Sequence, residues 1–225
     1  MWNPFAKLAR RGERAAAPAK SPMAEVFGRI FRDNNWNYGE SVSGPGSTLL
    51  QTETIRQELP GLIESLNVRS VLDAGCGDMN WMRRLAVPLE RYVGIDVVPD
   101  LIEKNRRELG SADRVFEVRD LTRDSLPRVD LVLCRDCLVH FSFEDVFRAL
   151  RNVRASGSRY LLTTTFPARE SNADVPTGSW RTLNYEKTPF LFPPPLALVN
   201  EKLTVAEGTY ADKSLGLWEV ASLPL

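Results

Sequence analysis

Residues 71–81 read Val-Leu-Asp-Ala-Gly-Cys-Gly-Asp-Met-Asn-Trp, and this is where the chain first shows residue types that could bind a ligand. An apolar run ends at Asp73, and Gly75 and Gly77 follow. Glycines are needed where a backbone turns sharply after a strand and something must approach it closely. A dinucleotide fingerprint would need a further glycine at position 80, where the chain has Asn80. Asp78 would repel a pyrophosphate, so a phosphate-free ligand with positive charge fits this loop better. Asp96 ends a second apolar run and Asp120 a third. Acids at consecutive strand ends converge where open α/β sheets bind ligands. Taken singly, such aspartates also serve as ordinary turn and helix caps.

A second constellation is Cys-Arg-Asp-Cys-Leu-Val-His-Phe-Ser at 134–142. His140 is the only histidine in the chain, and an imidazole titrates near neutrality, so it is a candidate base. Asp136 is placed to orient it or to contact a substrate. The bland reading of His140 is a residue that packs and caps the next helix. Cys134, Cys137 and His140 also spell C-x-x-C-x-x-H. A structural zinc site needs four ligands, and Cys134 falls on a strand where a small buried hydrophobe is expected, so no metal is expected. Two polar and aromatic loops complete the candidates. Residues 34–47 bring Trp36, Tyr38 and Ser43, and residues 171–196 bring Trp180, Arg181 and Asn184. They suit a lid over a polar, partly planar molecule, or equally a hydrophobic cover for the end of a sheet.

Strands are expected over 68–75, 91–96, 114–120, 129–135 and 159–165. Helices are expected near Pro22, over 48–66 with a break or kink at Pro60, over 79–86, from Pro99 to Gly110, and after a capping box at Ser142 and Asp145. Residues 201–210 and 216–223 read as two further strands joined by a turn at Asp212–Lys213. The long 171–196 segment should be ordered, given its aromatics and three consecutive prolines. Such alternation indicates a Rossmann-like, doubly wound, mostly parallel sheet with helices on both faces.

On these residues the chain resembles the class I methyltransferase family. The family's acid-x-Gly-x-Gly matches Asp73-Ala74-Gly75-Cys76-Gly77, its ribose-binding acid matches Asp96, and its adenine-side acid matches Asp120 with Leu121 as an apolar contact. The resemblance covers roughly residues 68–166, and the last two strands fit the family's antiparallel C-terminal hairpin. It implies a seven-stranded sheet with S-adenosylmethionine as cofactor, held by Asp73, Gly75, Gly77, Asp78, Asp96, Asp120, Leu121 and Arg135. The wider pattern around GCGDMNW, CRDCLVHFSFEDVF and SWRTLNYEKTPFLFPPP resembles a group of small methyltransferase-like proteins of mostly unassigned substrate. At 135–138 the chain has Arg-Asp-Cys-Leu in place of the Asp/Asn-Pro-Pro-Tyr/Phe of amide and amine methylation. The Pro-Cys nucleophile of cytosine C5 methylation is also missing. By elimination the expected acceptor is an oxygen on a small molecule or saccharide. The competing readings are an NAD-dependent oxidoreductase and a non-catalytic S-adenosylmethionine-binding protein.

Composition narrows the classes. The chain has 225 residues, with 29 Lys+Arg balancing 29 Asp+Glu. A dedicated nucleic-acid binder usually carries a basic excess. Three cysteines do not make a disulfide framework and suit a reducing, cytoplasmic setting. There is no apolar run of membrane-spanning length. Residues 1–22, basic through Lys7, Arg10, Arg11 and Arg14, are expected to be a flexible tail rather than a secretory signal, with one domain over 23–225.

Overall fold

The computed structural model of the chain describes residues 21–36, 39–203 and 208–225, so the tail expected over 1–22 lies almost wholly outside the described residues. Seven strands form one sheet: β1 (Ser70–Ala74), β2 (Arg91–Asp96), β3 (Arg114–Val118), β4 (Leu131–Cys134), β5 (Tyr160–Thr165), β6 (Ala197–Asn200) and β7 (Ser214–Glu219). Their spatial order is β3-β2-β1-β4-β5-β7-β6. The first five run parallel, and β7 is antiparallel to both neighbours. The strand order reverses direction at β1, between β2 and β4. A crevice opens at the carboxyl ends of strands at such a point.

Side chains alternate across the sheet because the strand period is two. Leu72, Val93, Val132 and Leu161 face one core, shared with Met23 of α1 (Pro22–Arg32) and with Val146, Leu150 and Val153 of α4 (Phe143–Ala155). Val71, Tyr92, Leu131 and Leu162 face the other, shared with Ile55, Leu59 and Ile63 of α2 (Glu53–Ser65) and Ile102 of α3 (Pro99–Leu109). Burial on both faces explains why these strands read as near-continuous apolar runs.

Three expectations are corrected. Residues 79–86 do not form a helix; only a short 3-10 turn, Met82–Arg84, occurs there. Met79 has φ of 61°, and a left-handed residue stops helical propagation. The α2 helix starts at Glu53 and runs through Pro60 without ending. The lost backbone bond is outweighed by the buried stripe Ile55, Leu59 and Ile63. The penultimate strand is β6 at Ala197–Asn200, not 201–210 (of which 204–207 lie outside the described residues).

At the start of α4, Ser142 Oγ accepts from the Asp145 N–H at 3.3 Å. The reciprocal half of the box is not made. The Ser142 N–H donates to Thr177 Oγ1, which itself donates to Asp145 at 2.6 Å. The 171–196 segment thus takes part in the cap. Tyr185 and Phe192 of that segment are buried against Trp218, whose Nε1 donates to the Pro193 carbonyl, and buried Phe190 packs on Tyr185.

Candidate functional site

The loop after β1 folds back on β2. The N–H groups of Gly75 and Cys76 both donate to the Ile95 carbonyl, and the Gly77 N–H donates to Asp96 Oδ2 at 3.1 Å. Gly75 and Gly77 have φ of 82° and 54°, a region that favours glycine. Their missing side chains also leave room for protein. A Cβ on Gly77 would collide with Ser43 Oγ, and one on Gly75 would press on Cys137 Sγ.

Asp96 receives one backbone N–H on each oxygen, from Gly77 and from Val98, which leaves each oxygen a further lone pair. Asp73 accepts from the Tyr92 hydroxyl at 2.6 Å. Burial pushes the Asp73 carboxyl up to about 6, and burial also raises Asp96. Neither forms an ion pair among the described residues. Asp120 Oδ1 accepts from the backbone N–H and the hydroxyl of Thr122, beside buried Leu121.

The region beyond β4 is built differently. Arg135 is buried and donates to both Glu201 oxygens and to the Gly46 carbonyl. It also lies over the Trp81 ring. Lys213 Nζ sits 2.6 Å from Asp136 Oδ2 and 3.3 Å from Glu201. Burial alone would raise the Asp136 carboxyl, but Lys213 and Arg135 outweigh it and hold it below the carboxylate range. His140 Nδ1 lies 2.9 Å from the Ser179 carbonyl. A carbonyl only accepts, so Nδ1 carries the proton and Nε2 keeps a free lone pair. Burial lowers the imidazole pKa. Trp36 packs on the ring with centroids 4.7 Å apart.

Both regions open into one cavity of about 430 Å³. Of the residues singled out from the sequence, Asp73, Gly75, Gly77, Asp78, Asp96, Asp120, Leu121, Arg135, Asp136, His140, Trp36, Ser43 and Trp180 line it. Tyr38 lies outside the described residues. Arg181 and Asn184 are not on the cavity wall. Arg181 donates to the Val139 carbonyl and packs over Phe143, and Asn184 bridges the Pro167 and Arg169 carbonyls. Glu201, Lys213, Phe166 and Tyr210 escaped the sequence reading. Lys213 reads from the sequence only as a turn residue, yet it is buried where the β6–β7 connection closes, with the Glu201 N–H paired to its carbonyl. Among the described residues no cluster of three or more His, Cys, Asp or Glu could hold a metal ion. None of their helices is long and apolar enough to cross a membrane.

Residues 71–156 match a family model described as a methyltransferase domain. No curated protein matches the chain. Among solved structures, phosphoethanolamine N-methyltransferase 1 of Haemonchus contortus is 17% identical, with a TM-score of 0.50 over 71% of this chain and 36% of that one. Magnesium protoporphyrin IX methyltransferase of Synechocystis PCC 6803 is 19% identical, with a TM-score of 0.49 over 70% of this chain and 83% of that one. The methyltransferase domain of bacterial CtHen1 is 15% identical, with a TM-score of 0.46 over 51% of this chain and 66% of that one. At such identities the likeness is one of fold.

Proposed function

We propose that the chain is a class I methyltransferase that transfers a methyl group from S-adenosylmethionine to a hydroxyl of a small molecule or saccharide; the domain match over residues 71–156 and the seven-stranded fold support this reading. The observation that carries this reading is a pair of carboxylates on the wall of one cavity, buried Asp73 and half-buried Asp96, neither of which has an ion-pair partner among the described residues. Burying an uncompensated carboxylate is costly, and a cationic ligand relieves that cost. S-adenosylmethionine carries a sulfonium and an ammonium, whereas NAD would bring two more negative phosphates to the same wall.

The residues present fit the cofactor. Asp96 has lone pairs left for both ribose hydroxyls, Leu121 and Asp120 offer an apolar face and a carboxylate for adenine, and the cavity is of ligand size. Bound there, the cofactor would supply a methyl carbon activated by positive sulfur, with a neutral thioether as its leaving group.

His140, Asp136, Trp36 and Trp180 then surround the acceptor. His140 Nε2 takes the hydroxyl proton as the oxygen attacks, and Nδ1 stays tied to the Ser179 carbonyl, which fixes the ring. Trp36, Phe166, Trp180 and Tyr210 exclude water and give a flat face for stacking. A cytoplasmic site of action goes with this reading.

Calorimetric titration with S-adenosylmethionine, S-adenosylhomocysteine and NAD is the direct test. Saturable binding of the first two and not of NAD is expected; binding of NAD alone would overturn the proposal. With an acceptor found by screening, His140→Ala should lower kcat about 10²–10⁴-fold and leave cofactor affinity nearly unchanged. Activity of the native protein should fall only below about pH 6.5, since burial lowers the His140 pKa. Cofactor binding without turnover on any acceptor would move the chain to the non-catalytic class.

A further inference from the structure

Asp78 follows the glycine loop directly, and its charge invites assignment to the cofactor. Its hydrogen bonds lead elsewhere. Oδ1 accepts from Ser41 Oγ (3.1 Å), Ser43 Oγ (3.3 Å) and the Asn80 N–H (3.2 Å). Oδ2 accepts from Ser41 Oγ (3.0 Å) and the Val42 N–H (3.0 Å). An ionised carboxylate offers about four lone-pair sites, and four protein donors already fill them. In return Ser43 Oγ accepts from the Asp78 N–H. Two residues on, Asn80 Nδ2 donates to Glu40 Oε1 (2.8 Å) and to the Ser47 carbonyl (3.0 Å). From the end of β4, Arg135 Nη2 donates to the Gly46 carbonyl (2.8 Å).

Three side chains therefore grip residues 40–47 along their length, and residues 42–47 line the cavity beside the glycine loop. The collision that a Cβ on Gly77 would have with Ser43 shows how closely this segment is seated. We propose that residues 40–47 are a fixed wall of the cofactor site, and that Asp78 is a positioning residue that holds this wall rather than a ligand of the cofactor. The proposal rests on the S-adenosylmethionine reading above. Residues before α2 thus belong to the donor half of the site, although the family match begins only at residue 71.

Ser41 separates the two roles, because it is buried, bonds to Asp78 and is absent from the cavity wall. Titration with S-adenosylhomocysteine should show about tenfold weaker binding for Asp78→Asn and a loss of similar direction for Ser41→Ala. The double variant should bind no more weakly than Asp78→Asn alone, since both changes open the same latch. Hydrogen exchange of the Val42 and Ser43 amides should quicken at least tenfold in either variant. Wild-type affinity in Ser41→Ala, beside a loss in Asp78→Asn, would make Asp78 a direct ligand and overturn the proposal. Unchanged affinity in both would overturn it as well. If Asp78→Asn does not fold, Ser41→Ala decides by itself. Should the native protein not bind S-adenosylhomocysteine at all, the cofactor reading fails. Amide exchange then still decides the latch: quickened exchange in Ser41→Ala supports it, and unchanged exchange refutes it.

Discussion

The two ends of the cavity handle buried charge in opposite ways. At the end proposed for the methyl donor, buried Asp73 and half-buried Asp96 have no ion-pair partner among the described residues, and desolvation raises both. At the acceptor end, Arg135, Asp136, Glu201 and Lys213 neutralise one another within the protein, and Asp136 is held low. An end that keeps unpaired carboxylates carries a cost that a cationic ligand removes. An end that closes its own charges is stable without a ligand and offers polar contact with no net charge. That contrast suits a cationic methyl donor facing a neutral acceptor.

The contrast breaks first where the internal pairing is removed. Glu201→Ala leaves Arg135 and Lys213 buried with one carboxylate between them, and should cost about 3–5 kcal/mol in denaturant unfolding. A loss below about 1 kcal/mol would mean that the cluster is screened by water and the contrast is false.

Asp73→Asn should do the reverse. The folded-state pKa of about 6 lies above the ordinary 3.8, so ionised Asp73 burdens the fold. The burden is full above pH 6, shrinks as pH falls toward 3.8 and is absent below it. Asparagine keeps an oxygen for the Tyr92 hydroxyl. The variant should therefore be more stable by about 3 kcal/mol at pH 8, with no gain below pH 4, while binding S-adenosylmethionine more weakly. Equal stability of variant and native protein across that range would show that Asp73 is not strained.

Asp96→Ala removes two charge-assisted acceptors from the proposed ribose contact and should weaken binding by about 1.5–3 kcal/mol in calorimetry. An unchanged dissociation constant in a folded variant would remove Asp96 from the cofactor set. The smallest effect is expected from Asn184→Ala, which lies off the cavity. It should lower stability by about 1 kcal/mol and leave affinity for S-adenosylhomocysteine as it was. A change in affinity there would mean that Asn184 shapes the cofactor site.

Much of the donor end was legible because it is local. Asp73, Gly75, Gly77, Asp96, Asp120 and Leu121 fall at the ends of consecutive parallel strands, and parallel register carries them to one edge of the sheet. The helix expected over 79–86 failed for a reason that periodicity cannot express. Asn80 is pulled to Glu40 and Ser47, and Met79 turns left-handed. In place of the strand expected over 201–210, β6 ends at Asn200, the Glu201 side chain turns to Arg135, and Lys202 takes a φ of 51°. Pro60 shows tertiary burial overriding a local penalty.

From the sequence alone came the strand–helix alternation, the glycine loop and the acids that point to a cationic, phosphate-free cofactor, because each depends on residues close along the chain. Only the tertiary structure decided the acceptor end and the true partner of Asp78. Arg135 meets Glu201 across 66 residues, Asp136 meets Lys213 across 77, and Asp78 meets Ser41 across 37. No local pattern encodes such pairs. They exist because the sheet order sets β7 beside β5 and brings Lys213, the residue before β7, to the crevice, and because the segment before α2 closes over the glycine loop.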